Sequence, residues 1–240
     1  MAASSARQYV GAMDQQRVIT VARGLAEALS PGDLDTTLLR ITAAAVEVLP
    51  DVQYSSITIK HADDRLETVA PTDDFLCDID AKQYELREGP CYEAAVESVH
   101  VTAPNLAADE RFPRYAPAAL EAGLRAQAGI RLFENEASQG ALNLYSTKVG
   151  AFEDLGILGE LFAHQSAMAL DYAREIQNLN EAVRSRGIIG QAVGIVMQRF
   201  GLDDARAFGF LVRMSQQENV KVRVLAEQLV AAAGTAPEDP

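Results

Sequence analysis

The sequence of 240 residues contains no tryptophan and only two cysteines, Cys77 and Cys91. Because the cysteines are not spaced as a CxxC pair, they predict neither a disulfide framework nor a structural zinc site. No apolar run approaches the roughly 18 residues that a membrane span needs. The first residues, MAASSARQYVGAMDQQR, also lack the charged start and apolar middle of a secretion signal. These absences predict a cytoplasmic protein with no membrane partner.

Positive charge is scarce and unevenly placed. The chain carries 21 Lys and Arg against 34 Asp and Glu, a net charge of −13, which argues against a polyanion partner for the molecule as a whole. Between Arg184 and Arg223, however, seven basic residues stand against three acidic ones, a local excess of +4. Such a segment is typical either of a solvated helix surface or of a nucleic-acid-binding surface.

Hydrophobic periodicity predicts an α+β domain in the first part of the chain. Helical spacing appears in MDQQRVITVARGLAEALS and LDTTLLRITAAAVEVLP, and a β-hairpin follows in YSSITIK-HADD-RLETVAP. We then expect a short helix capped by Thr72, a helix beginning at Pro90, the strand VHVTAP, a further helix, and two strands in QAGIRLFENEASQGALNLYS. The order predicts an antiparallel sheet flanked by helices.

The stretch from Leu155 to Phe200 contains no proline and predicts one long helix. Apolar and polar residues recur along it at alternating steps of three and four, as in a coiled-coil seam: Phe162, Gln165, Ala169, Tyr172, Ile176, Leu179 and Val183. The pattern predicts a parallel homodimer. An amphipathic helix packed on its own domain is the alternative, and for the first half of the seam both interpretations stay open.

Two shorter helices complete the chain. Gly201 ends the long helix and Asp203 caps the next one. The second helix is expected to bury Ala205, Phe208, Leu211, Val212 and Ser215, and the third Val222, Leu225, Ala226 and Leu229. The tail GTAPEDP is expected to be disordered.

The segment SRGIIGQAVGIVMQRFGLDDARAFGFLVRMSQQENVKVRVLAEQLV resembles the ANTAR domain, a three-helix RNA-binding module of bacterial antitermination regulators. The preceding region, with REGPCYEA, GALNLYS and GAFED, is similar to the GAF domain that precedes ANTAR in many actinobacterial regulators. The predicted organisation is a flexible N-terminus (1–14), a GAF domain (15–170), a coiled-coil linker (171–183), a three-helix ANTAR domain (184–233) and a tail (234–240).

The resemblance implies a regulator, not an enzyme, that binds RNA carrying a pair of small hairpins. Each hairpin would bind one ANTAR domain, which prevents a terminator from folding and so acts indirectly on transcribing RNA polymerase. Unpaired loop bases can be read by amides and stacked on guanidinium planes, and basic side chains attract phosphates. The candidate RNA-binding residues are Arg186, Gln191, Arg199, Arg213, Gln216, Asn219, Lys221 and Arg223.

The family often has Lys where this chain has Val193. If Val193 faces the other helices, the RNA surface has shifted toward the second and third helices; if it faces solvent, binding is weaker or differently specified. The neighbouring Ala192 and Gly194 are expected to allow close helix packing.

No motif identifies a cofactor, and the resemblance allows an unknown small-molecule ligand in the GAF domain. Cys91, at a predicted helix start, is a candidate redox sensor because a helix dipole lowers a thiol pKa, although free cysteines are most often inert and buried. Two other functions remain. One is a DNA-binding helix-turn-helix at VKVRVLAEQLV, and the other is a GAF-type methionine sulfoxide reductase that uses Cys77 and Cys91.

Overall fold

The computed structural model describes residues 32–97, 100–134, 138–153 and 155–234. The described elements follow the predicted order: α1 (Leu34–Val48), β1 (Tyr54–His61), β2 (Leu66–Val69), α2 (Phe75–Leu86), α3 (Pro90–Val96), β3 (His100–Ala103), α4 (Ala116–Glu121), β4 (Ala126–Glu134), β5 (Ser138–Ser146), α5 (Gly156–Phe200), α6 (Asp204–Glu218) and α7 (Val222–Gly234). The predicted helix at residues 13–30, the N-terminal segment 1–14 and residues 235–240 of the tail lie outside the described residues. None of the described helices is both long and apolar enough to cross a bilayer.

The described chain divides into two compact units, the first ending at Arg174 and the second beginning at Glu175. The first unit is built on a five-stranded antiparallel sheet with the order β2-β1-β5-β4-β3. In its register Ile57 on β1 and Ile130 on β4 both pair with Leu142 on β5. Side chains alternate between the faces of a strand, so these three apolar residues point to the same side of the sheet.

One face of the sheet packs against α1 and the first part of α5. Its core joins Ile57 and Leu142 to Ile41 of α1 and to Phe162 and Leu170 of α5. Burying an aliphatic or aromatic side chain of this size stabilises the fold by about 1.5–3 kcal/mol. This layer therefore holds the long helix to the sheet.

The other face is covered by α2, α3 and α4. Apolar side chains such as Leu76, Tyr115 and Ala94 are fully buried there. A Cβ atom at Gly129 of β4 would lie 2.6 Å from both the Ala94 Cβ and the Pro90 carbonyl oxygen, so glycine at this position allows α3 to pack directly on the strand.

The prediction that Thr72 caps α2 is wrong. The N-cap residue is Asp74, which makes no side-chain capping bond. Thr72 instead binds the start of β1: its N–H donates to the Ser55 carbonyl at 2.9 Å, and its hydroxyl accepts from the Ser55 N–H at 2.9 Å. The local sequence favours a helix cap, but Thr72 makes both of its hydrogen bonds with Ser55 of β1 instead.

The second unit consists of the C-terminal part of α5 with α6 and α7. Gly201 ends α5 with φ of 63°, and the Asp203 carboxylate accepts from the Arg206 N–H at 2.8 Å at the start of α6. Both boundaries agree with the predictions. The buried core of this unit is small: Ala192, Val193, Val196, Ala207, Leu211, Leu225 and Ala226.

The predicted inner face of α6 is partly wrong. Leu211 and Ser215 are buried as expected, but Ala205 is exposed and Phe208 is 46% exposed. Ala207 is buried in their place. Residues four apart lie on one face of a helix, so Ala207, Leu211 and Ser215 form the inner line and Phe208 lies one position beyond it.

Candidate functional sites: a basic helical surface and a buried polar cluster

The side chains predicted to contact RNA are all exposed on the second unit: Arg186, Gln191, Arg199, Arg213, Gln216, Asn219, Lys221 and Arg223. Arg223 pairs with Glu227 at 3.4 Å. Within the described part of the chain, Arg186, Arg199, Arg213 and Lys221 form no ion pair. No carboxylate of the described residues therefore neutralises these four cations.

A tight turn fixes the basic start of α7. Asn219 ends α6 in the left-handed conformation, with φ of 53°, and its N–H donates to the Ser215 carbonyl. The Ser215 hydroxyl in turn donates to the Val220 carbonyl at 2.5 Å. Lys221 follows this turn directly. Because asparagine tolerates this backbone conformation well, Asn219 has a structural role besides its exposed amide.

Val193 faces the other helices. It is 6% exposed and belongs to the core that includes residues of α6 and α7, and its neighbour Ala192 is fully buried. The expected packing role of Gly194 is wrong, because Gly194 is exposed and an added Cβ would have no neighbour within 4 Å. Position 193 is therefore not part of the exposed surface of this unit. Having valine there instead of lysine does not lower the positive charge of that surface.

The first half of the predicted dimer seam is wrong. Phe162 is fully buried and belongs to the core between α5 and the sheet, and Ala169 is 6% exposed. A side chain enclosed by its own domain is not accessible to a second copy. The alternative interpretation, an amphipathic helix packed on its own domain, applies to this stretch.

The second half of the seam has a different environment. Tyr172, Leu179 and Val183 are 58%, 57% and 70% exposed, and Ile176 is half-buried. Their spacing of four, three and four residues places them on one side of α5. This stripe of large apolar side chains is open to water.

A cluster of buried polar side chains lies between the sheet and the helices α2 and α3. Its fully buried members are Ser56, Thr58, Asp80, Gln83, Gln127, Asn143 and Tyr145. The Asp80 carboxylate accepts hydrogen bonds from the hydroxyl of Tyr145 at 2.5 Å, of Ser56 at 2.8 Å and of Thr68 at 3.1 Å, and from the Gln83 amide at 3.2 Å. Burial raises the pKa of Asp80 to about 6, and the four hydrogen bonds oppose that shift.

A chain of hydroxyl groups leads from Asp80 to Tyr84. The Thr68 hydroxyl donates its one hydrogen bond to the Asp80 carboxylate. The Tyr84 hydroxyl, 2.7 Å from the Thr68 oxygen, therefore donates to Thr68. Tyr84 then accepts from Thr58 at 2.8 Å, and Thr58 accepts from the Asn143 amide at 2.8 Å. The direction of every bond follows because each hydroxyl has only one proton.

Tyr84 also lines a cleft of about 420 Å³ at the edge of this unit. The other lining residues are Lys60, Asp64, Leu66, Arg87, Tyr92 and Val96. Lys60 pairs with Asp64 at 3.0 Å. The cleft thus offers aromatic rings, aliphatic surface and two cations, and it shares Tyr84 with the buried cluster.

The structure contradicts a reactive thiol at Cys91. The residue is fully buried, and its pKa is raised by burial and by the nearby Asp80, opposite to the expected effect of a helix start. Its sulfur accepts from the Gln127 amide at 2.7 Å. Cys77 is exposed, and its pKa is also raised, by partial burial and by Asp80. Within the described ranges no group of His, Cys, Asp and Glu side chains is arranged to hold a metal ion.

Sequence reasoning missed the buried polar cluster. Ser56 and Thr58 on β1 alternate with apolar residues, which is also the pattern of a strand with one face in water. The sequence offered one sign of the cluster, the acidic residues of α2. Asp80 follows Ile79 in this helix, and the pattern is equally typical of a helix whose acidic face is in water.

Comparison with known proteins agrees with this division into two units. Residues 32–171 match the GAF domain model and residues 177–230 match the ANTAR domain model. The chain belongs to the GAF domain family and carries an ANTAR domain behind the GAF domain. This combination is that of a sensor-gated ANTAR antitermination regulator.

Solved structures support the fold at low sequence identity. The free methionine-R-sulfoxide reductase of Neisseria meningitidis aligns with a TM-score of 0.51 and 13% identity over 65% of this chain and 89% of its own. The bacteriophytochrome RpBphP3 of R. palustris gives 0.56 and 13% over 76% of this chain and 42% of its own. The phytochrome photosensory core of Stigmatella aurantiaca gives 0.55 and 13% over 80% and 43%. No curated protein matches the chain.

Proposed function

We propose that the protein is a cytoplasmic regulator that binds paired hairpins in nascent RNA and prevents transcription termination. The observation that carries the proposal is the set of exposed cations on the ANTAR unit that have no carboxylate partner in the part of the chain that the structure describes, with Arg213 and Lys221 on either side of the Asn219 turn. Phosphates attract this surface, and the amides of Gln191, Gln216 and Asn219 supply donors and acceptors for unpaired bases. Because Val193 is buried, contacts are expected chiefly from α6 and α7.

The two ANTAR units needed for two hairpins would come from a homodimer. Tyr172, Leu179 and Val183 form an exposed apolar stripe at coiled-coil spacing, and pairing with a second copy would bury it. The linker 171–183 would then relay the state of the GAF unit to the paired RNA-binding units.

The cleft beside Tyr84 is the proposed input site. A small polar or anionic ligand would find Lys60, Arg87 and two tyrosine rings there. A ligand that accepts a hydrogen bond from the Tyr84 hydroxyl would break the hydrogen bond from Tyr84 to Thr68. It would thereby alter the series of hydrogen bonds that ends at Asp80. Val96→Trp, which fills the cleft, should abolish any thermal stabilisation that a small-molecule library gives the wild-type protein.

The test of RNA recognition begins with a pool of RNAs that carry two hairpins with randomised loops. The wild-type protein should enrich one family of loops. The tightest RNA of that family, called the selected RNA below, should bind more strongly than its single hairpins and than a DNA duplex, with an affinity that falls as salt rises. Equal affinity for the DNA duplex would favour the DNA-binding alternative instead.

A further inference from the structure

An aromatic pair lies at the junction of α5 and α6 in the second unit. The ring centroids of Phe200 and Phe210 are 5.4 Å apart with an interplanar angle of 40°. Phe200 is 56% exposed and Phe210 is half-buried against the core of the unit. The ring of Phe200 therefore rests on Phe210 and presents aromatic surface to water.

Two cations flank Phe210 along α6. Arg206 and Arg213 stand four residues before and three residues after Phe210, the two spacings that make side chains neighbours on a helix, and both are exposed. Arg206 is engaged by Asp203 at 3.5 Å, whereas Arg213 forms no ion pair within the described unit. The Arg213 guanidinium lies 3.9 Å from the point where a Cβ of Gly209 would stand, so it lies back along α6 over a residue without a side chain.

We propose that Phe200 and Phe210 form a stacking platform for one unpaired base of the bound RNA, with Arg213 on the adjoining phosphate. The proposal rests on the function proposed above and adds a contact to a base of the RNA, in addition to contacts with its phosphate backbone. An unpaired nucleotide combines a flat apolar face with a negative charge, and this surface combines an exposed aromatic ring with an exposed guanidinium. An apolar helix from a protein partner would cover the ring but would leave the guanidinium desolvated and unpaired.

The experiment measures the affinity of the full-length protein for the selected RNA. Phe200→Leu keeps the apolar character of position 200 and removes the aromatic face, and it should weaken binding about tenfold, the usual loss for one base stack. Phe200→Tyr keeps the ring and should bind as the wild type does. The matched control is Phe208→Leu. Phe208 is exposed, as Phe200 is, but it belongs to α6 and lies about 200° around that helix from Phe210.

Abasic substitutions, made one loop position at a time, identify the stacked base. At one position the missing base should weaken binding of the wild type about tenfold and leave the affinity of Phe200→Leu unchanged. Wild-type affinity in Phe200→Leu, an equal loss in Phe208→Leu, or the absence of such a coupled position would overturn the platform while RNA binding itself stands. Failure of the wild type to enrich any RNA would overturn the proposed function and the platform together.

Discussion

The hydroxyl of Tyr145 on β5 lies 2.5 Å from Oδ1 of Asp80 on α2, and both residues are fully buried between the helix and the sheet. Among the described residues the carboxylate has no cation beside it, and four hydrogen-bond donors stabilise it instead. Tyr145→Phe removes one donor and leaves the buried carboxylate less satisfied. We expect the free energy of unfolding to fall by on the order of 1–3 kcal/mol in urea titrations at neutral pH. Tyr54→Phe is the control, because the Tyr54 hydroxyl makes no hydrogen bond among the described residues, and it should change the free energy of unfolding by less than about 0.5 kcal/mol; equal effects in the two variants would contradict the role of the pair.

The raised pKa of Asp80 predicts a specific dependence of stability on pH. Asp80 holds its proton more tightly in the folded state, with a pKa of about 6 against 3.8 for a free aspartate. Its contribution to stability is therefore complete below pH 3.8 and is lost as pH rises through 6. The free energy of unfolding of the wild type minus that of Asp80→Asn should fall by about 2 kcal/mol between pH 4 and pH 7, because a free aspartate is already partly ionised at pH 4. A difference that stays constant or rises over that range would show that Asp80 titrates normally.

The basic surface can be tested by charge reversal. Arg213→Glu together with Lys221→Glu should abolish binding to the selected RNA, because both cations are exposed and neither forms an ion pair with a described residue. The fold should remain, since neither side chain is part of the core. Lys82→Glu together with Arg65→Glu makes the same change of charge on the GAF unit and should leave RNA binding intact. If both double variants bind equally well, the RNA surface lies elsewhere.

The seam on α5 predicts the oligomeric state. Ile176→Asp with Leu179→Asp places two charges in the exposed apolar stripe and should convert a dimer into monomers in analytical ultracentrifugation. The control, Gln177→Glu with Asn178→Asp, adds the same charge on the opposite side of α5 and should remain dimeric. A dimer that persists in the seam variant would place the interface at another surface.

The order of the described elements, the antiparallel sheet and the boundaries at Gly201 and Asp203 could all be predicted, because apolar periodicity and capping residues are local signals. Thr72 was assigned wrongly because its partner, Ser55, is distant in sequence. Phe162 was assigned to a dimer seam because the spacing of apolar residues is the same whether a helix packs on its own sheet or on a second helix. Asp80 was missed for a related reason, since an acidic residue on an amphipathic helix ordinarily faces water.

Burial of Cys91 reverses the effect that its position at a helix start predicts for its pKa. The start of a helix lowers a thiol pKa only where the thiolate is accessible to solvent or paired with a cation. Here full burial and the charge of Asp80 act in the opposite direction. The sequence predicts that Cys91 lies at the start of α3, but it does not predict that the side chain is fully buried between α3 and the sheet.

The most direct test of the account is single-round transcription in vitro on a template in which the selected RNA overlaps an intrinsic terminator. The wild-type protein should increase read-through of the terminator, and Arg213→Glu with Lys221→Glu should not. A template with only one intact hairpin should show no increase. Read-through that is the same with and without the wild-type protein, on an RNA that the protein binds, would contradict an antitermination function.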